Sequence, residues 1–404
     1  MTNIEKELIN LLSNSIRGNK YQNVEIDNLN FKKLFEEAKH HKVEGLIYNA
    51  IDKSQNFNSN NLDVLQEQKR NTLNTIMSQS SHVKLVSNVL EEFNKNNIPV
   101  IALKGLYVRE LVPNPNLRTM CDADVLVHTE DLDKIESLLT SIGYIKHEEY
   151  DEHGAHHVYY NHQTVIEVHW RLSNKEFYKG DTSFEDHLWD SVFEFSINNV
   201  KTLCLGLEDL ALHLCIHMAV HLACHGFGIR QLCDLVLLVE KKGDIIDWNL
   251  FLEKAKASGI EKFSLTIFKV CNVLFNMEIP NELNAAKDLS EKYIDLFIAD
   301  IFNNGVSGRK DESSIFANEM AFDTDPNASI TKKFLGLLFP LPDKLNDKYS
   351  YAKKCKILLP IAWIHHLFEG IINKDYSLTS KLKILLNTIN TAKKRNKLMN
   401  WLEI

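Results

Sequence analysis

Val100-Ile-Ala-Leu-Lys-Gly105, Asp122-Ala-Asp-Val-Leu-Val127 and Thr164-Val-Ile-Glu-Val-His-Trp-Arg171 decide the reading of this chain. Each opens on or contains a short β-branched apolar run, and each reads as a strand. Side chains alternate across a strand, so Asp122 and Asp124 share one face while Ala123 and Val125 take the other. By the same rule Glu167 and His169 share a face, opposite Ile166, Val168 and Trp170. Two acids side by side repel each other and are costly without a cation. If the strands are neighbours, Glu167 joins Asp122 and Asp124 in an oxygen-rich cage suited to a hard divalent ion. Such an ion holds the phosphates of a nucleotide.

Lys104-Gly105 follows the first strand directly. Glycine there lets the backbone approach a phosphate closely, with its amide helping to cradle the anion, and Lys104 adds a positive charge. Arg118 carries a guanidinium able to clamp a phosphate through two parallel hydrogen bonds. Its plainer reading is an ion pair that steadies the acidic strand.

Around these strands the pattern is helical. Before them, Phe31, Leu34, Phe35 and Ala38 recur at helical spacing, as do Val43, Leu46, Ile47 and Ala50. The Asn/Ser-rich interval 54–61 reads as a loop, and a helix is predicted from Leu62 to Asn97, interrupted by Pro99. Between the strands, a brief helix is predicted over Leu106–Leu111, and a second from Asp131 to Ser141 with Thr129 as N-cap and Gly143 as its end. Tyr144–Tyr150 and Val158–His162 read as further strands. No element is read between Arg171 and Leu205. Helices then follow over Leu210–Ala223, Leu232–Glu240, Trp248–Ala257 and Phe263–Phe275, a polar loop over Gly305–Asp325 contains Arg309, Lys310 and Asp311, and helices resume from Lys332. The expected division is a helical region over 1–81, a mixed α/β core over 82–205 and a helical region over 206–404.

His213, His217, His221 and His225 stand four apart, which stacks them along one side of a helix. A His-x-x-x-His pair can ligate zinc, but Met218 follows His217 where a metalloprotease has glutamate. The reading adopted is a polar helix face bonded to neighbours such as Asp234 or Arg230, with His169, His217, His221, Arg230 and Asp234 as candidate pocket residues. His153, His156 and His157 form a second cluster, read as surface or edge-strand residues.

The chain has 404 residues, 44% hydrophobic and 25% charged, with a formal net charge of -8. That is the balance of a globular protein with a sizeable core. Its sign gives no global field to draw in nucleic acid, so no stable DNA binding is expected. The start, Met1-Thr-Asn-Ile-Glu, lacks the basic and apolar regions of a secretory signal. The apolar run Ile357–Ile364 is short and broken by Pro360, so no membrane partner is expected. Seven cysteines, an odd number without a Cys-x-x-Cys pair, read as reduced thiols, including Cys355, in a cytoplasmic protein.

Leu103-Lys104-Gly105, Arg118, Asp122-Ala-Asp124-Val-Leu-Val127, Gly143-Tyr144 and Glu167-Val-His169-Trp170 together resemble the uncharacterised bacterial nucleotidyltransferase family of the DNA polymerase β-like superfamily. The resemblance extends to His217, His221, Arg230 and Asp234, and to Leu337–Pro342 and Leu358–Trp363. It implies an α+β fold: a small mixed-sheet, palm-like core embedded in a mainly helical protein with a large helical C-terminal region. It also implies magnesium, or alternatively manganese, on Asp122, Asp124 and Glu167, and transfer of a nucleoside monophosphate from a nucleoside triphosphate to a small-molecule, protein or RNA acceptor. Lys104, Gly105 and Arg118 then fall to the phosphates. The superfamily's first motif usually ends in Gly-Ser or Gly-Gly; Lys104-Gly105 departs from it, so no serine hydroxyl is assigned to the triphosphate. The competing reading is a nucleotide-binding module of the same fold without catalysis.

Overall fold

The computed structural model describes residues 1–21, 30–52, 57–147, 155–172, 181–224, 226–306, 349, 351–352, 358–372 and 393–404. His153, His225 and Cys355, almost all of the polar loop over 305–325 and the motif Leu337–Pro342 lie outside the described residues.

Four helices come first: α1 (Asn3–Ile16), α2 (Phe31–His40), α3 (Glu44–Ala50) and the long α4 (Ser59–Lys95). The last starts earlier than Leu62 because Asn58 caps it, accepting from the Asn61 N–H. It stops at Lys95, where Asn97 takes a left-handed φ of 51° ahead of Pro99. α4 runs unbroken through 81/82, where the sequence suggested a division.

The strands follow: β1 (Ile101–Ala102), then α5 (Gly105–Val108), β2 (Ala123–Leu126), α6 (Leu132–Ser141), β3 (Ile145–Lys146), β4 (His156–Tyr160), β5 (Val165–His169), β6 (Phe193–Ile197) and β7 (Val200–Cys204). They form one mixed sheet in the order β3-β4-β5-β2-β1-β7-β6. The central pair, β2 and β5, is parallel and sets Asp124 level with Glu167. β6 and β7 form a hairpin that the sequence reading missed. Its turn is Asn198-Asn199, with φ of 47° and 66°, the pair of positive values that a two-residue hairpin turn needs. Thr129 does not cap α6; a 3-10 turn over Thr129–Asp131 leads into it, while Gly143, at φ 90°, ends it as expected.

Seven further helices complete the described chain: α7 (Leu207–Cys224), α8 (Ile229–Lys242), α9 (Trp248–Ala257), α10 (Glu261–Phe275), α11 (Glu291–Asn304), α12 (Leu359–Ile372) and a last one over residues 393–402. α7 is long and apolar enough to cross a membrane by length and composition, but it is a core helix, 61% buried inside the molecule.

Alternation along the strands builds two layers. Ala123, Val125, Ile166 and Val168 pack beneath α4 and α6 with Val83, Val86, Leu90, Phe93, Ile135 and Leu139. A second, larger core joins α1–α3 and α7–α11 to the sheet through Ile101, Leu103, Leu126 and Cys204. The fold is therefore the α+β class expected, a mixed sheet within a mainly helical protein. The polar faces of β2 and β5 look into a cavity beside α7 and α8.

Candidate active site

The cavity has a volume of about 580 Å³, ample for a nucleotide, and is lined by Lys104, Gly105, Arg118, Asp122, Asp124 and Glu167 from the sheet side. His217, His221, Arg230, Gln231 and Asp234 line it from α7 and α8. Of the candidate residues named from the sequence, all but His169 line this cavity.

Asp124 is the electrostatic centre. Lys104 Nζ donates to its Oδ1 at 3.2 Å and His169 Nε2 to the same oxygen at 3.1 Å. His169 Nε2 also lies 3.4 Å from Glu167 Oε2. One ligating atom from each of Asp124, Glu167 and His169 falls within 4.8 Å of the others. The compact group is therefore Asp124–Glu167–His169. Asp122 lines the same cavity one residue ahead of β2, outside that tight group.

Their protonation follows from these contacts. Burial alone would raise the Asp124 carboxyl, but the Lys104 ammonium and the His169 hydrogen bond hold it well below the usual carboxylate range. Burial and then the charge of Asp124 push Asp122 up. Burial works against the His169 imidazolium, yet its bonds to Asp124 and Glu167 raise its pKa. His156, from the partner strand β4, stacks on His169 at 4.8 Å between ring centroids. Burial and the neighbouring His169 lower its pKa.

Lys104 itself stands at φ 41°, a region that disfavours a side chain. The turn after β1 is thus made by the lysine and not by Gly105. Gly105 is required for another reason: a Cβ there would lie 2.5 Å from Arg118 Nη1 and 2.9 Å from Met120 Sδ.

Arg118 departs from the phosphate-clamp reading. Its fork is taken up by Asp234 of α8, with Nε to Oδ1 at 3.1 Å and Nη2 to Oδ2 at 2.6 Å. It is an ion pair, as the plainer reading held, but to a distant helix and not to the acidic strand.

The segment leading to Asp122 is held from several sides. Gln79 of α4 grips the Met120 backbone, its Nε2 donating to the carbonyl at 2.9 Å and its Oε1 accepting the N–H at 2.8 Å. Thr119 is bound by Arg230, whose Nη1 donates to its carbonyl at 2.6 Å and its hydroxyl at 3.0 Å. Sequence reasoning missed Gln79, and no spacing in α4 marks it.

On α7, His217 and His221 face each other with Nε2 atoms 3.0 Å apart. Gln231 Oε1 accepts from the Gly228 N–H, which turns its Nε2 toward His217 Nδ1 at 3.2 Å. A donor facing Nδ1 fixes the His217 proton on Nε2, from which it is given to His221 Nε2. Both nitrogens on one zinc would need that proton moved against the Gln231 amide. The bonded neighbour is Gln231, not Asp234 or Arg230. Burial, with Lys104 next, holds the His217 pKa well below 6.5.

A sheet that sets carboxylates level on adjacent strands, above a strand–turn–helix carrying Lys104-Gly105, defines a nucleotidyltransferase fold. Residues 27–276, more than half of the chain, match the family described as uncharacterised nucleotidyltransferase. The chain belongs to that family. A solved structure of the antibiotic-resistance factor ANT(2'')-Ia is similar over 44% of this chain and 95% of that one, at 14% identity and a TM-score of 0.32. No curated protein matches the chain.

Proposed function

We propose that the chain is a divalent-metal-dependent nucleotidyltransferase that moves a nucleoside monophosphate from a nucleoside triphosphate to an acceptor and releases pyrophosphate. One observation carries the reading: Asp124 and Glu167 stand level on parallel strands, with His169 on the same face, in a cavity that also receives Asp122 and Lys104.

The donor set fits a divalent cation. Two of the three grouped ligands are carboxylates, and Asp122 is an anion disfavoured by burial and by Asp124, so added positive charge is favourable there. Asp124 and Glu167 would hold the ion, with Asp122 and His169 beside them. Magnesium suits the carboxylate oxygens, and manganese shares that preference. When bound, the ion polarises phosphate oxygens and eases ionisation of a hydroxyl.

The chain's own residues do the rest. Lys104 and His169 keep Asp124 ionised and fixed. Glu167 takes the proton of the acceptor hydroxyl. The acceptor oxygen bonds to the α-phosphorus, the bond to the bridging α–β oxygen breaks, and its electron pair leaves with pyrophosphate.

The test is label transfer from nucleoside triphosphates labelled at the α-phosphate, with a cell extract as the source of acceptor. Asp124→Asn is expected to lower transfer by at least about 100-fold, the scale of losing one charge contact at a reacting phosphate, with the far-ultraviolet dichroism unchanged. Undiminished transfer by that variant removes the proposal, and nucleotide binding without turnover in the parent chain selects the non-catalytic module.

A further inference from the structure

We propose that Arg230 and Lys42 form the seat of the terminal phosphates of the nucleoside triphosphate, the role that Arg118 cannot fill. The inference rests on the nucleotidyl-transfer reading of the cavity and names residues that this reading leaves open.

Two of the cavity's cations are already matched by acids. Lys104 is bonded to Asp124 and Arg118 to Asp234. Arg230 and Lys42 line the same cavity, and among the described residues neither forms an ion pair with a carboxylate. Among the described residues Arg230 donates only to the neutral oxygens of Thr119, and its buried Nε has no partner there. Lys42 Nζ touches Cys121 Sγ at 3.5 Å. A half-buried guanidinium without a matching anion is costly. Its pKa shows the strain: burial, and then repulsion from Arg118, lower it to about 10. The acids that Arg230 feels, Asp234 and Asp122, are engaged elsewhere or face the carboxylate group, and Glu44 feels both cations without bonding either.

Placement is equally directed. Thr119 ties the two cations together, since its hydroxyl accepts from Arg230 and donates to the Lys42 carbonyl at 3.3 Å. Lys42 is held at a left-handed φ of 54° between α2 and α3. Thr119 lies three residues before Asp122. A polyanion reaching from the carboxylate group toward Thr119 therefore meets a planar donor fork and an ammonium in succession. That pairing suits phosphate oxygens carrying several negative charges.

The experiment is titration calorimetry with magnesium and inorganic pyrophosphate, run in parallel with the nucleoside triphosphates and monophosphates. The parent chain should bind pyrophosphate. Arg230→Gln and Lys42→Gln should each weaken it by about tenfold or more, while monophosphate affinity changes by less than about twofold. Dichroism checks each fold, and Lys42→Gln, whose ammonium touches only Cys121 among the described residues, gives the answer even if Arg230→Gln does not fold. Pyrophosphate affinity unchanged in Lys42→Gln and in folded Arg230→Gln overturns this inference and leaves the nucleotidyl-transfer reading standing. A parent chain that binds neither pyrophosphate nor any triphosphate removes that reading itself.

Discussion

Arg118 and Asp234 are 116 residues apart in sequence and meet as a buried bidentate pair. Removing one partner leaves the other charge buried and unmatched, which costs far more than the pair contributes. Asp234→Ala is therefore expected to destabilise the chain by about 3–5 kcal/mol, read from urea unfolding. Gly105→Ala acts on the same guanidinium from the other side. Its methyl would displace Arg118 and Met120, and a loss of about 1–3 kcal/mol is expected in the same measurement. At this scale the sequence was partly legible. Alternation along each strand set Asp122 with Asp124 and Glu167 with His169, because period two needs only local sequence; that Asp124 stands level with Glu167 follows from the pairing of β2 with β5, on which the sequence reading was conditional. It did not reveal that Arg118 was committed to α8, since a contact across 116 residues leaves no local pattern.

Among the elements, α7 lines the cavity and α4 packs on the other face of the sheet. Gln79 is the point at which α4 grips the acidic segment. Gln79→Leu would leave the Met120 N–H and carbonyl buried and unpaired, an expected loss of about 2 kcal/mol by thermal or urea unfolding. On α7, His213 is fully buried and neither ring nitrogen has a partner among the described residues. Burial pushes its pKa, like that of His217, well below 6.5. Below that pH the unfolded chain binds protons that the folded chain refuses, so these two groups make stability fall as pH falls toward their folded values. His169, whose pKa is raised, works oppositely: its contribution is complete below 6.5 and fades as pH rises through its folded value. Replacing His213 with leucine should flatten the acid loss between pH 7 and 5 and add about 1 kcal/mol at neutral pH, both visible in unfolding curves across that range. The β6–β7 hairpin was legible but unread. Phe193-Glu-Phe-Ser-Ile197 alternates, and Asn198-Asn199 is a residue pair that tolerates positive φ.

Across the whole molecule, the last helix, over residues 393–402, closes the large core behind the site. Leu398 and Leu402 are buried in it. Arg395, 1% exposed, donates to the Leu222 carbonyl near the end of α7 and lies 3.7 Å from Asp300 of α11. A cation at a helix C-terminus complements the helix dipole, so this residue ties the far end of the chain to the helix carrying His217 and His221. Arg395→Met is expected to cost about 3 kcal/mol by leaving Asp300 without its partner, measured as a lower urea midpoint, with nucleotide affinity changing less than stability. Nothing in the sequence near Arg395 announces this tie.

The level pairing of Asp124 with Glu167 has a consequence for how the gene tolerates length change. Loss of one codon inside β5 would rotate the strand by half a period, carrying a valine to the cavity wall and driving the acid into the greasy layer under α4. The tight bend at residues 161–164 is a different matter. It lies outside the β2–β5 ladder, and its tip, His162-Gln163, is exposed while Thr164 is anchored on His82, so extra residues spliced between 162 and 163 loop into solvent and leave the alignment untouched, which makes that tip the natural place to graft a reporter.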